Sequence, residues 1–488
     1  MISAAGMAPC REGGESITEM AVHCSYRNKA VEKCRENGDI TLMQYLDMQA
    51  EKVLSNNRLG ALRSRDDFLA RVKEITCERL GEKYASDIEK ALEIGALSTA
   101  DHHGSVYCSQ SFQGDILYSV LMRKLGFTGS VLPIVTGGQV ELGNVTYSRG
   151  ICRYSSKDKK ELLPFFRKLD QNKMAINAQP IDSGMLAKFK KRFDDRTLDD
   201  ICKVIYEDEK VQSKASFAEQ TTVIGAELFK HIFKDEKVTI PAYLEVEELI
   251  RPILIKELSE EDSILKKLLS DKNSLRKLNE ITTSDGLSLA AQLFACSDEK
   301  GRKIFLHIDE DNRLVGSSMD GAEVSFLADH ASLIELLDKR VIFPGLLMAA
   351  FLLVFERGFT WFGGMFQASY LSEWKNAVCE LLCNTGFKDE ADVIRRKDCS
   401  GYISGPMFAL YRGDEFATTA GPVEMWDYNG GFDKIESLIM NTTLWDSHLI
   451  GLSEMYPDLF SKSERTEGWY GIIAEGVFQS FTENYIND

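Results

Sequence analysis

The chain reads as an α/β protein: a Rossmann-like parallel sheet flanked by helices, with a projecting helical arm and a C-terminal α+β cap. Three observations predict this class. Residues 97–150 run strand, helix, strand: a short apolar stretch over 94–99 ends on polar groups, then Phe112, Ile116, Leu117, Val120, Leu121 and Leu125 recur at helical spacing. A second apolar run over 131–135 is stopped by Gly137 and Gly138. Such a βαβ unit places its two strands parallel in one sheet. Helical periodicity dominates the chain on both sides of this unit. The third observation is length: 488 residues exceed what one simple core organises, so the chain divides into lobes.

The elements follow in order. Residues 1–90 form an N-terminal helical segment with a loosely ordered start, because 1–20 show no apolar period. Leu42, Tyr45 and Leu46, then Phe68, Leu69, Val72 and Ile75, fall at three- and four-residue steps, and Ser64 to Asp67 supply a helix start. Residues 91–256 hold the first part of the core with a helical insertion. Within it 140–153 reads as a loop and hairpin; 162–169, 185–193, 198–206 and 217–233 read as helices; 238–244 and 250–254 read as extended, since Arg251 precedes Pro252. The arm spans 257–300, rich in Lys, Glu, Asp and Leu with a solvated charged face. Residues 301–400 return to the core through a hairpin turning at Asp311-Asn312, with His307 among aliphatics as a structural histidine. A buried helix, a short strand, the Gly363-Gly364 turn and another helix follow. Residues 401–488 form the cap, with two Gly-Pro turns and helices over 432–452 and 471–481.

Composition narrows the function. A formal charge of −17 without any basic stretch excludes a nucleic-acid binder. The longest apolar stretch, 341–355, is about fifteen residues and contains Pro344, too short to span a membrane. Eleven cysteines without a spacing framework, and no signal peptide, point to reduced thiols and a cytoplasmic protein. The remaining partner is a small-molecule substrate, and a homodimer is one candidate assembly.

The candidate site lies past the strand ends of the βαβ unit, on the carboxyl edge where open α/β sheets bind ligands. Asp101, His102 and His103 follow the first strand and concentrate three ionisable groups, including two of the chain's seven histidines. On extended backbone Asp101 and His103 share a face while His102 points away. Histidine suits proton transfer, with Asp101 setting the imidazole tautomer; two adjacent histidines without further ligands make a poor zinc signature, so no metal ligands are assigned. Thr136, Gly137 and Gly138 follow the second strand. Gln113, Asn144, Tyr147, Arg149 and Arg251 are the hydrogen-bonding and carboxylate-clamping candidates, and Gly363-Gly364 would leave backbone amides open to an anion at the start of the next helix.

Two separated pieces resemble the cysteine-adding ligase family of bacillithiol synthesis. In that family a Rossmann-type sheet opens with a strand ending T-G-Q-Q and a helix bearing G-P-x-Y; a later R-P and a buried L-P helix precede G-G-P-G-E-x-x-Y. Here Thr99 ends the strand with A-D-H-H-G in place of G-Q-Q, and Gly114-Asp115 with Tyr118 stands where G-P-x-Y would. Arg251-Pro252 and Pro344 occupy similar contexts, and Gly363-Gly364 with Tyr370 keep the seven-residue spacing, Gln367 taking the acidic position. The resemblance covers the architecture of 95–380. It implies a ligase-like enzyme forming a carbon–nitrogen bond on an amino-acid-like or carboxylate substrate. Without a P-loop or G-x-G-x-x-G no cofactor is assigned, and ATP dependence follows from the resemblance alone. Two other readings share the residues: a metal-dependent hydrolase or oxidoreductase built on Asp101-His102-His103, and a non-catalytic binding protein on the same fold.

Overall fold

The computed structural model describes residues 16–99, 106–143, 150–234, 238–282 and 288–487. At its centre lies a five-stranded sheet of β1 (Ala96–Ser98), β2 (Val131–Thr136), β3 (Ile240–Glu245), β4 (Thr360–Gly364) and β5 (Tyr402–Ser404), in the spatial order β5-β4-β1-β2-β3. Every neighbouring pair is parallel. The chain builds outward from β1 to β3, then returns to the other side of β1 to lay down β4 and β5. This is a Rossmann-like order, and its direction reverses between β1 and β4.

The sheet divides two apolar cores, as the period-2 alternation of strand side chains requires. Ala96, Leu132, Ile134, Tyr243 and Phe362 face one core, which holds the crossover helix Ser109–Lys124 and the C-terminal helices. Leu97, Val131, Val135, Ala242, Leu244 and Trp361 face the other, which holds helices Asp66–Leu80, Ala85–Glu93 and Val246–Ser259. Burial on both faces explains the unbroken apolar runs that marked β1 and β2 in the sequence.

Two long insertions interrupt the sheet. Between β2 and β3 stand a hairpin of Gly150–Arg153 with Glu161–Pro164 and the helices Ser183–Arg192, Arg196–Ile201 and Phe217–Ile232. Between β3 and β4 come three helices ending at Glu280 and a second, antiparallel sheet that orders Ile342–Pro344, Phe294–Ser297, Lys303–Ile308, Arg313–Ser317 and Glu323–Leu327. Its turn at Asn312 adopts φ 58°, a left-handed conformation that asparagine tolerates. No helix among the described residues is long and apolar enough to cross a membrane. The ten described cysteines are free thiols, eight of them buried.

Three local expectations are corrected. The helix expected over 162–169 is a strand through Pro164, paired antiparallel with Gly150–Arg153, then a turn and a single 3-10 turn at Lys168–Asp170. His307 projects from the exposed face of its strand, whose burial alternates. The stretch around Arg251-Pro252 is helical: Leu249, Ile250, Ile253 and Leu254 are buried at helical spacing, and that burial outweighs the bias of the residue before proline. Pro252 cannot donate to the carbonyl of Glu248, and the Arg71 Nε–H donates to that oxygen instead, at 3.3 Å.

Candidate functional site at the strand-order switch

The carboxyl ends of β1 and β4 meet where the strand order reverses. The Thr99 amide donates to the Phe362 carbonyl at 2.6 Å, extending the β1–β4 ladder one residue beyond β1. Its hydroxyl donates to Gln367 Oε1 at 2.5 Å. Gln367 lies in the first turn of the helix Met365–Asn384, whose N-cap is Gly364 and which has no side-chain cap. For Gln367 to fold back onto the strand end, residue 363 must lack a side chain: a Cβ there would lie 2.0 Å from Gln367 Oε1 and 2.8 Å from Thr99 Oγ1. The β4–β5 register also shifts between Gly363 and Gly364, which opens the ladder at this edge.

Gln367 is 8% exposed, and its Nε2 finds no hydrogen-bond partner. A buried amide donor without a partner costs about 1–3 kcal/mol. It sits beside the uncapped first-turn amides of a 20-residue helix, where orphan N–H groups and the helix dipole favour negative charge. An unpaired amide nitrogen and an uncapped helix start thus stand together at the topological switch point.

The second glycine turn is built differently. Both Glu247 carboxylate oxygens accept backbone amides, from Gly138 at 2.9 Å and Gln139 at 3.0 Å. Burial pushes the Glu247 carboxyl up to about 7, against the pull of those two amides. The turn after β2 is thus closed by the protein's own side chain, and its Gly138 amide is not left for a substrate. Gly137 begins this turn on a partly buried backbone. Thr136, at the end of β2, keeps a buried hydroxyl without a partner. Nothing in the local sequence singled out Glu247; its only sign is a pair of acids, Glu247 and Glu248, opening the helix after β3.

The remaining candidates divide. Gln113 uses its whole amide on backbone groups of the C-terminal region, accepting from Phe408 N and Ala409 N and donating to Ala409 O and Ala420 O. That is a structural clamp, with no polar atom left for a substrate. Arg251 is held by Glu248 at 3.2 Å on the helix after β3, away from the β1–β4 junction. Tyr370, one turn beyond Gln367, packs on Trp374 with ring centres 4.5 Å apart. Asp101, His102, His103, Asn144, Tyr147 and Arg149 lie outside the described residues.

Fold and strand order together define the class: a Rossmann-like α/β protein whose parallel sheet reverses its strand order between β1 and β4. Neither a family model, nor a curated protein, nor a solved structure matches the chain.

Proposed function

We propose that the protein is a small-molecule enzyme of the carbon–nitrogen ligase kind, acting on an amino-acid-like or carboxylate substrate at the β1–β4 switch point. The observation that carries this reading is the buried, partnerless Gln367 amide nitrogen beside the uncapped helix start, its oxygen held by the Thr99 hydroxyl. The Gln367 amide and the first-turn backbone amides are donors that suit a substrate carboxylate or phosphate. The Asp101-His102-His103 cluster, which follows Thr99 and Ala100 in the chain, supplies the proton transfer: an imidazole takes the proton from an amine attacking a carboxylate activated by phosphorylation from ATP, the phosphate leaves, and Asp101 fixes the imidazole's tautomer. Such a pair contributes about 10²–10⁴-fold.

The test is a thermal-shift screen of the twenty proteinogenic amino acids, each with and without magnesium ATP. A ligand at a hundred times its Kd adds about 2.7 kcal/mol, so a shift of the melting temperature with at least one ligand is expected. Gln367→Leu removes the shift, whereas His103→Gln keeps it and abolishes turnover of the compound so found. A shift that survives Gln367→Leu, or turnover that survives His103→Gln, refutes the reading.

A further inference from the structure

A cavity of about 440 Å³ opens beyond the carboxyl end of β3, at the outer edge of the sheet and apart from the β1–β4 junction. One wall is the helix Asp66–Leu80, which turns Arg71, Ile75, Glu78 and Arg79 toward it. Arg71 and Arg79 stand eight residues apart, about 12 Å along the helix axis. The cavity therefore has two ends.

At the first end Arg71 donates its Nε–H to the Glu248 carbonyl, and Arg340 forks onto the Glu248 carboxylate at 3.1 and 2.9 Å. Arg71 also pairs with Glu74 at 2.5 Å and Arg251 with Glu248 at 3.2 Å, so three cations face two carboxylates at this end. At the second end Arg79 donates to Glu245 at 2.5 Å and to Thr222, and the Lys214 ammonium lies 3.4 Å from the Glu78 carbonyl. The Glu219 carboxylate accepts the Ala215 amide. Three lining carboxylates, Glu78, Glu219 and Glu245, outnumber two cations there. Between the ends the lining is apolar: Ile75, Ile176, Ala218 and Phe343. The cavity is thus dipolar, positive at Arg71 and Arg340, negative at Glu78 and Glu219, with a greasy middle.

We propose that this cavity is a second small-molecule site, and that it takes an elongated zwitterion with an apolar body, a di- or tripeptide. A tripeptide extends about 10 Å, comparable with the ~12 Å rise from Arg71 to Arg79 along the helix wall. Its carboxylate docks on Arg71 and Arg340, its ammonium on Glu78 and Glu219, and its side chain on Ile75 and Phe343. Arg340 carries a further sign of this role. It occupies the left-handed position closing the helix His330–Asp338, with φ 54°, where glycine is the residue of least strain. A guanidinium is held there at the expense of local backbone ease.

The experiment is isothermal titration of the full chain with Gly-Leu-Gly, its N-acetylated form and its C-amidated form. The unblocked peptide is expected to bind, and either blocking group to weaken it tenfold or more. Arg71→Gln, Glu78→Gln and Arg340→Gly each weaken the unblocked peptide by at least tenfold, and Arg340→Gly, which suits the backbone at that position, leaves the melting temperature no lower. Gln367→Leu leaves peptide binding unchanged, which separates this site from the switch-point site. Absence of binding at millimolar peptide overturns the proposal. So does equal affinity for the blocked forms, or inorganic phosphate that displaces the peptide as effectively as free peptide does, which marks a simple anion site.

Discussion

Lys397 is buried to 2% exposure, and its ammonium has no hydrogen-bond partner. Burial, with the Arg65 guanidinium adding to it, lowers its pKa to about 8. Unfolded lysine titrates near 10.4, so between about pH 8 and pH 10 the unfolded chain binds more protons than the folded one. Stability contributed by this residue therefore rises with pH across that window. Lys397→Met removes the uncompensated charge and raises unfolding stability by about 1–3 kcal/mol at pH 7, with a smaller gain at pH 9.5. Urea unfolding at the two pH values checks this; an equal gain at both, or a loss, contradicts it. Single residues of this kind were not legible in the sequence. Nothing in the local sequence distinguishes Lys397 or Glu247, because the burial of each is created by elements distant in the chain.

At the scale of elements, the sheet approaches its helices closely enough that one glycine sets the distance. A Cβ on Gly225, in the helix Phe217–Ile232, would lie 2.2 Å from the ring of Tyr243 on β3. Gly225→Ala gains about 1 kcal/mol of helix propensity and loses more by overpacking, so a net destabilisation of about 1–2 kcal/mol is expected in urea, relieved when Tyr243 is also changed to Leu. The clamp at Gln113 ties the helix Ser109–Lys124 to the C-terminal region through four backbone contacts. Gln113→Leu strands those groups and costs about 3 kcal/mol or more, and amide exchange should quicken over 405–424. Unchanged exchange there would show that the clamp is dispensable. Elements with strong periods were legible: the βαβ unit, the helices at Asp66–Leu80 and Phe217–Ile232, and the hairpin turning at Asp311-Asn312 all match their patterns. Arg251-Pro252 misled because the helix survives its proline through Arg71, a contact spanning 177 residues.

At the scale of the molecule, the strand order β5-β4-β1-β2-β3 determines which distant segments become neighbours. The sequence pattern predicted a parallel sheet and placed functional groups on its carboxyl edge, and the sheet forms as predicted. It could not tell on which side of β1 the chain would return, since that depends on how two insertions of more than a hundred residues pack. The return beside β1 joins Thr99 to Gly363, Gly364 and Gln367, while the turn at Gly138 is claimed by Glu247. The same topology leaves the outer end of β3 open to the dipolar cavity. Hydrogen–deuterium exchange of the full chain, with and without the amino acid or nucleotide that most raises its melting temperature, tests the central claim most directly. Protection concentrated at residue 99 and over 363–368 is the predicted result; protection elsewhere, with those amides unchanged, would place the ligand away from the strand-order switch and contradict the account.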